Sequence, residues 1–220
     1  MSHLQLRAAD RHTFSAYLVK PEGTARGAVV VIQEIFGVTG HIERVAEQYA
    51  AQGYLAIAPA LFDRQERGVN LPYDQAGITR GISLMNNADR GGLVADLKAT
   101  IDAVAHAGAV GMVGFCWGGA VTYIAASRTN IAAAVVYYGG GIASMLEETP
   151  RCPTLFHFGD RDAHIPLADV ERIRAAYPQG EYHIYAADHG FNCTDRGSYD
   201  AAAAHVAFGR TLEFFRKHLG

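Results

Sequence analysis

Apolar residues along the chain fall into two alternating patterns. Short runs such as Ala28-Val-Val-Val-Ile32 are continuously apolar and rich in β-branched residues, the signature of a strand buried on both faces of a parallel sheet. Longer stretches repeat apolar residues every three or four positions. Ile42, Val45, Ala46, Tyr49 and Ala50 form one such stripe, closed by Gln52-Gly53 before the next run, Tyr54 to Ala58, which together predict a βαβ unit.

The alternation continues with a helix carrying Leu93, Val94, Leu97, Ile101 and Val104, the strand-like Val110-Gly-Met-Val-Gly-Phe115, and a helix from about Gly118 to Ser127. Strands are predicted at Ala132 to Tyr138, Thr154 to Phe158 and Tyr182 to Ala186, with a helix near Leu167 to Tyr177. A final helix places Ala204, Phe208, Leu212, Phe215 and Leu219 on one side. Strands alternating with helices imply an α/β fold, a mainly parallel central sheet with helices on both faces, built as one domain over residues 1–220. Residues 61–89, rich in Gly, Asn, Asp and Arg, break the pattern and are expected to form an irregular segment with one short helix bordering the site.

Composition narrows the function. Half of the 220 residues are hydrophobic, and no apolar stretch reaches the eighteen or so residues of a membrane span. Nineteen Lys plus Arg against 22 Asp plus Glu give a net charge of −3 with no basic stripe, which argues against nucleic acid as a partner. The N-terminal residues lack the pattern of a secretory signal, and three cysteines without a CxxC pair suit reduced thiols, so a cytoplasmic protein is expected.

Chemistry concentrates at three strand ends. Gly114-Phe-Cys116-Trp-Gly118-Gly119 lies between a predicted buried strand and a predicted helix, as the nucleophile elbow G-x-S-x-G requires, with cysteine in place of serine. That turn is so tight that the flanking residues must be small, which Gly114, Gly118 and Gly119 satisfy. A free cysteine is more often a small buried hydrophobe, but this context favours a nucleophile. No GxGxxG, GKS or GKT motif supports a phosphate cradle, and no HExxH or paired CxxC supports a metal site, so no cofactor is expected.

The elbow calls for an acid and a histidine later in the chain. Asp160 and Asp162 compete for the acid, in the loop after Thr154 to Phe158, where either could equally cap the following helix. Of the ten histidines, His189 follows the last predicted strand and is preferred over His157 and His183, which lie within strands, and over His164.

At these residues the chain resembles the dienelactone hydrolase (carboxymethylenebutenolidase) family. The resemblance runs through Gln33-Glu34-Ile35-Phe36-Gly37, the Cys116 elbow, Gly159 to Pro166, and His189-Gly-Phe191. It implies an α/β-hydrolase fold and hydrolysis of a lactone or small carboxylic ester through a thioester, with Cys116 as nucleophile and His189 as base. It implies Asp162 as acid, since the family's acid precedes a proline by four residues and Pro166 stands there; Asp160 is the fallback. Glu34 would contact the resting thiol, and the backbone N–H groups of Ile35 and Trp117 would form the oxyanion hole. The family's arginine four residues after the histidine is replaced by Cys193, leaving Arg196 and Arg80 as candidates for a substrate carboxylate. The competing expectation is a redox-responsive or ligand-binding protein on the same scaffold, without turnover.

Overall fold

A computed structural model describes residues 1–220. Its centre is one eight-stranded sheet. Strand β3 (Ala28–Ile32) is buried along its whole length. Val29 and Val31 join one core cluster, while Ala28, Val30 and Ile32 join the other. This is the two-sided burial that its unbroken apolar run demands, each buried Val or Ile contributing roughly 1.5–3 kcal/mol.

Strands β4 (Leu55–Pro59) and β5 (Val110–Phe115) flank β3 in parallel, and β6 (Ala133–Tyr137), β7 (Thr154–Gly159) and β8 (Glu181–Tyr185) extend the sheet in the same sense. Helices α1 (Gly40–Ala51) and α6 (Ala201–Leu219) pack into one core cluster; α3 (Arg90–Val104) and α4 (Trp117–Arg128) pack mainly into the other. Helix α5 (Leu167–Ala176) connects β7 to β8. None of these helices is long and apolar enough to cross a membrane.

Two regions differ from the sequence expectation. The chain begins with an antiparallel hairpin, β1 (Ser2–Arg7) and β2 (Thr13–Val19), which pairs with β4. Strand β1 is an edge strand with no fully buried side chain, so its residues carry little apolar signal. Residues 61–89 are more ordered than expected: a short 3₁₀ turn at Leu61–Arg64 precedes α2 (Gln75–Asn86), a full twelve-residue helix. Its N-terminus is capped by Asp74, which accepts from the Gly77 N–H at 2.8 Å. Only Gly77, Gly81 and Leu84 of α2 are buried. With two glycines at the buried positions, no apolar stripe exists to be read.

The strand order β1-β2-β4-β3-β5-β6-β7-β8 reverses direction between β3 and β5. Open α/β sheets bind ligands beyond the carboxyl ends of the strands at such a switch point. Glu34 follows β3 and Cys116 follows β5, so both lie at the carboxyl ends of the strands that flank this switch point.

Candidate active site

Cys116 joins β5 to α4 with φ 55° and ψ −120°, a conformation rarely tolerated by residues with a side chain. Its N–H donates to the Tyr137 carbonyl at 3.0 Å. A β-carbon on Gly114 would lie 2.0 Å from the Gly118 carbonyl oxygen, and one on Gly118 would lie 2.4 Å from that of Gln33. The glycines therefore let the turn close and let α4 approach the end of β3. Cys116 is left half-buried.

The turn after β8 carries His189, whose Nε2 lies 3.1 Å from Cys116 Sγ. On its other side His189 Nδ1 lies 2.7 Å from Asp162 Oδ2. Asp162 is itself fixed, since its Oδ1 accepts from the N–H groups of His164 and Ile165 at 2.8 and 3.2 Å. Burial opposes a charge on His189. The hydrogen bonds to Asp162 and Cys116, with their charges, outweigh it and raise the imidazole pKa to about 10. A thiol, an imidazole and a buried carboxylate are thus in contact in one line.

Asp160 lies outside this group, its carboxylate 3.9 Å from Arg161 and partly exposed. His157 is enclosed between the Tyr185 hydroxyl at 2.9 Å and Thr211 Oγ1 at 3.0 Å, a structural network within the core. His164 stands closer, with its ring centroid 5.0 Å from that of His189.

Glu34 is fully buried. Burial raises its pKa, against the lowering influence of Arg196 and His189. Arg196 Nη1 stands 3.4 Å from Glu34 Oε1, and the guanidinium carbon lies 5.8 Å from the Phe36 ring centroid. Burial, with Glu34 next, pushes the Cys193 thiol up to about 12. Arg80 behaves differently: it pairs with Glu66, each about half exposed.

The N–H groups of Ile35 and Trp117 donate to no protein acceptor through turn, loop or side-chain hydrogen bonds. Trp117 is also the first residue of α4, where N–H groups lack an intrahelical partner. The Ile35 loop is held from outside. Leu71 N–H donates to the Phe36 carbonyl at 2.8 Å, and a β-carbon on Gly81 would come within 2.3 Å of the Ile35 carbonyl oxygen.

Sequence reasoning passed over Tyr138. Its φ is +37° and its fully buried ring lies 5.2 Å from the His189 ring. The one available signal was a tyrosine at a strand end followed by three glycines, 139 to 141.

The sheet order, the helices on both faces, and a strand–turn–helix elbow followed by acid and then histidine define an α/β-hydrolase. This chain belongs to the dienelactone hydrolase family, whose sequence profile matches residues 14–219, and it is a hydrolase of the lactone and carboxylic ester type. It is 37% identical to a Synechocystis protein named as an inferred carboxymethylenebutenolidase, over 93% of this chain and 92% of that one. It is 33% identical to the carboxymethylenebutenolidase of Pseudomonas putida, over 96% and 94% of the two chains. The crystal structure of an inferred dienelactone hydrolase from Klebsiella pneumoniae superimposes with a TM-score of 0.85 at 28% identity, covering 99% of this chain and 100% of that one.

Proposed function

We propose that this protein hydrolyses a lactone or small carboxylic ester through Cys116 and a thioester intermediate. The observation that carries the reading is the line of contacts from Cys116 Sγ to His189 Nε2 at 3.1 Å and from His189 Nδ1 to Asp162 at 2.7 Å. Those lengths suit direct proton transfer without rearrangement.

In this mechanism the thiol proton passes to His189 Nε2, and the sulfur attacks the substrate carbonyl to give a tetrahedral oxyanion. The free N–H groups of Ile35 and Trp117 are the donors we assign to that oxyanion. As the carbon–oxygen bond breaks, the leaving alkoxide takes the proton from His189. Water, deprotonated by His189, then attacks the thioester; the carbon–sulfur bond breaks and the acid leaves. Asp162 holds the ring orientation and stabilises its charged form throughout.

We assign Glu34 to the reacting group as the buried carboxylate that influences when the thiol ionises. Arg196 is the preferred candidate for a substrate carboxylate, because its guanidinium stands beside the buried Glu34, whereas Arg80 and its partner Glu66 are half exposed. The partner is a small molecule, and no step needs a cofactor.

The test is steady-state hydrolysis of a small activated aryl ester and a panel of lactones by wild type and Cys116→Ala under reducing conditions. Turnover in wild type alone supports the thiol mechanism. Equal activity in both excludes Cys116 as nucleophile. A wild type silent on every substrate moves the weight to the redox-responsive or ligand-binding reading.

A further inference from the structure

Phe62 stands on the 3₁₀ turn that follows β4, and Trp117 opens α4 at the end of β5. Strand β3 lies between β4 and β5, so the two side chains come from either side of it. They meet face to face, with ring centroids 4.8 Å apart and planes only 13° from parallel. Stacking at such a separation is a favourable arrangement for two aromatic rings.

Phe62 is fully buried, whereas Trp117 is half-buried. With Val69 and Leu84, Phe62 forms a small core of its own, separate from the two that flank the sheet, and Leu71 and Trp117 pack against it. The indole therefore docks on side chains supplied by residues 62–84.

The turn bearing Phe62 is anchored in turn to the end of β3. Leu61 N–H donates to Gln33 Oε1 at 3.2 Å, and Gln33 Nε2 donates to the carbonyl of Glu34, the residue before Ile35, at 3.3 Å. Val69 braces the same loop, since a β-carbon on Gly37 would come within 1.9 Å of the Val69 carbonyl oxygen. Ile35 and Trp117, the two residues assigned to the oxyanion, thus lean on one segment.

A backbone N–H points where its peptide plane points. Trp117 begins a helix directly after the strained turn of Cys116, at a position where no intrahelical bond restrains the N–H. Clamping the large indole against a buried ring restrains that backbone instead.

We propose that Phe62 is a positioning residue for the oxyanion hole: its ring holds the Trp117 indole flat and so keeps the Trp117 N–H aimed at the oxygen that becomes negative when Cys116 attacks. The inference rests on the reading of Trp117 as an oxyanion donor. A misaimed donor matters little while the substrate carbonyl is neutral and most when its oxygen is charged, so the loss belongs in kcat more than in KM.

Trp117 is the only tryptophan of the chain, so its fluorescence reports on the stack directly. Phe62→Leu and the bulkier Phe62→Met remove the aromatic face, whereas 4-fluorophenylalanine at position 62 keeps it. In the first two, acrylamide quenching of Trp117 should rise, and kcat for a small activated aryl ester should fall by about tenfold with KM little changed. The fluorinated ring should leave both near wild type.

The second readout is affinity for a trifluoromethyl ketone. The thiol adds to its carbonyl: a carbon–sulfur bond forms, the π electrons pass to oxygen, and the thiol proton goes to His189, leaving an oxyanion with no leaving group to expel. That affinity should fall by the same factor as kcat/KM. A kcat equal to wild type in a variant whose Trp117 has become quenchable overturns the proposal, as does a fall in kcat with ketone affinity unchanged. Should both Phe62 variants fail to fold, Trp117→Leu breaks the stack from its half-buried side and should lower kcat by the same factor; wild-type kcat there overturns the proposal too. A wild type that neither hydrolyses esters nor binds the ketone removes the hydrolase reading and this proposal with it, a result visible before any substitution is made.

Discussion

Asp162 and His189, 27 positions apart in the chain, meet at 2.7 Å, and the Asp162 oxygen that does not face His189 accepts two backbone N–H groups from its own loop. The carboxylate is therefore fixed before it fixes the histidine. Asp160, two residues earlier, has no such support and sits partly in solvent.

Asp162→Asn keeps the size of the side chain and removes its charge. We expect kcat/KM for a small aryl ester to fall by roughly a thousandfold or more, as expected for loss of a triad acid. Asp160→Asn should stay within about twofold of wild type, because surface changes of this sort are nearly neutral. Comparable losses in both variants would mean that the acid has been misassigned.

The raised His189 pKa also predicts how stability depends on pH. An imidazole of ordinary pKa 6.5 in the unfolded chain and about 10 in the folded one binds its proton more tightly when folded. Its contribution is complete below about pH 6.5 and is lost as pH rises through about 10. The gap in urea midpoint between wild type and Asp162→Asn should thus be widest below pH 6.5 and should narrow toward pH 10. A gap that widens with pH would reverse the sign and refute the account.

The contact between α2 and the Ile35 loop predicts a catalytic effect from a residue outside the chemistry. In Gly81→Ala the new methyl meets the Ile35 carbonyl oxygen, so the helix or the loop must shift. Overpacking of this kind costs about 1–3 kcal/mol of stability, readable by urea unfolding. If Ile35 serves the oxyanion, kcat should drop by about tenfold or more with KM little changed, since the misplaced donor acts in the transition state. A variant that loses stability but keeps kcat would separate the Ile35 loop from catalysis.

Arg196 and Arg80 can be told apart by substrate charge. Arg196→Ala should lower kcat/KM for a carboxylate-bearing lactone by about 10–100-fold more than for a neutral ester, the worth of a charge-assisted hydrogen bond. Arg80→Ala, which breaks only a half-exposed pair with Glu66, should not discriminate between the two. Equal losses on both substrates in Arg196→Ala would point to its contact with Glu34 instead.

Much of this molecule follows from local pattern. The β-branched runs of β3 and β6, the apolar stripe of α1 and the glycines around Cys116 each encode their own geometry, because period and steric room are properties of neighbouring residues. Cys116 and His189 could be picked out as candidates on the same grounds, by the turn one occupies and by the strand the other follows. The hairpin of β1 and β2 escapes that pattern, and α2 is legible only as one short helix of unstated position, since their buried positions are too few, or too small, to leave an apolar period.

What sequence by itself determined is therefore the alternation of strands and helices, the elbow at Cys116, and the short set of acids and histidines able to serve it. Tertiary structure alone decided that Asp162 and not Asp160 reaches His189, that Arg196 faces Glu34 while Arg80 turns to Glu66, and that Tyr138 is bent back against His189. The reason is physical: these choices depend on distances between strand ends that lie far apart in the chain. Those distances exist only once the sheet has ordered its strands and burial has charged each polar group for the partners it lacks.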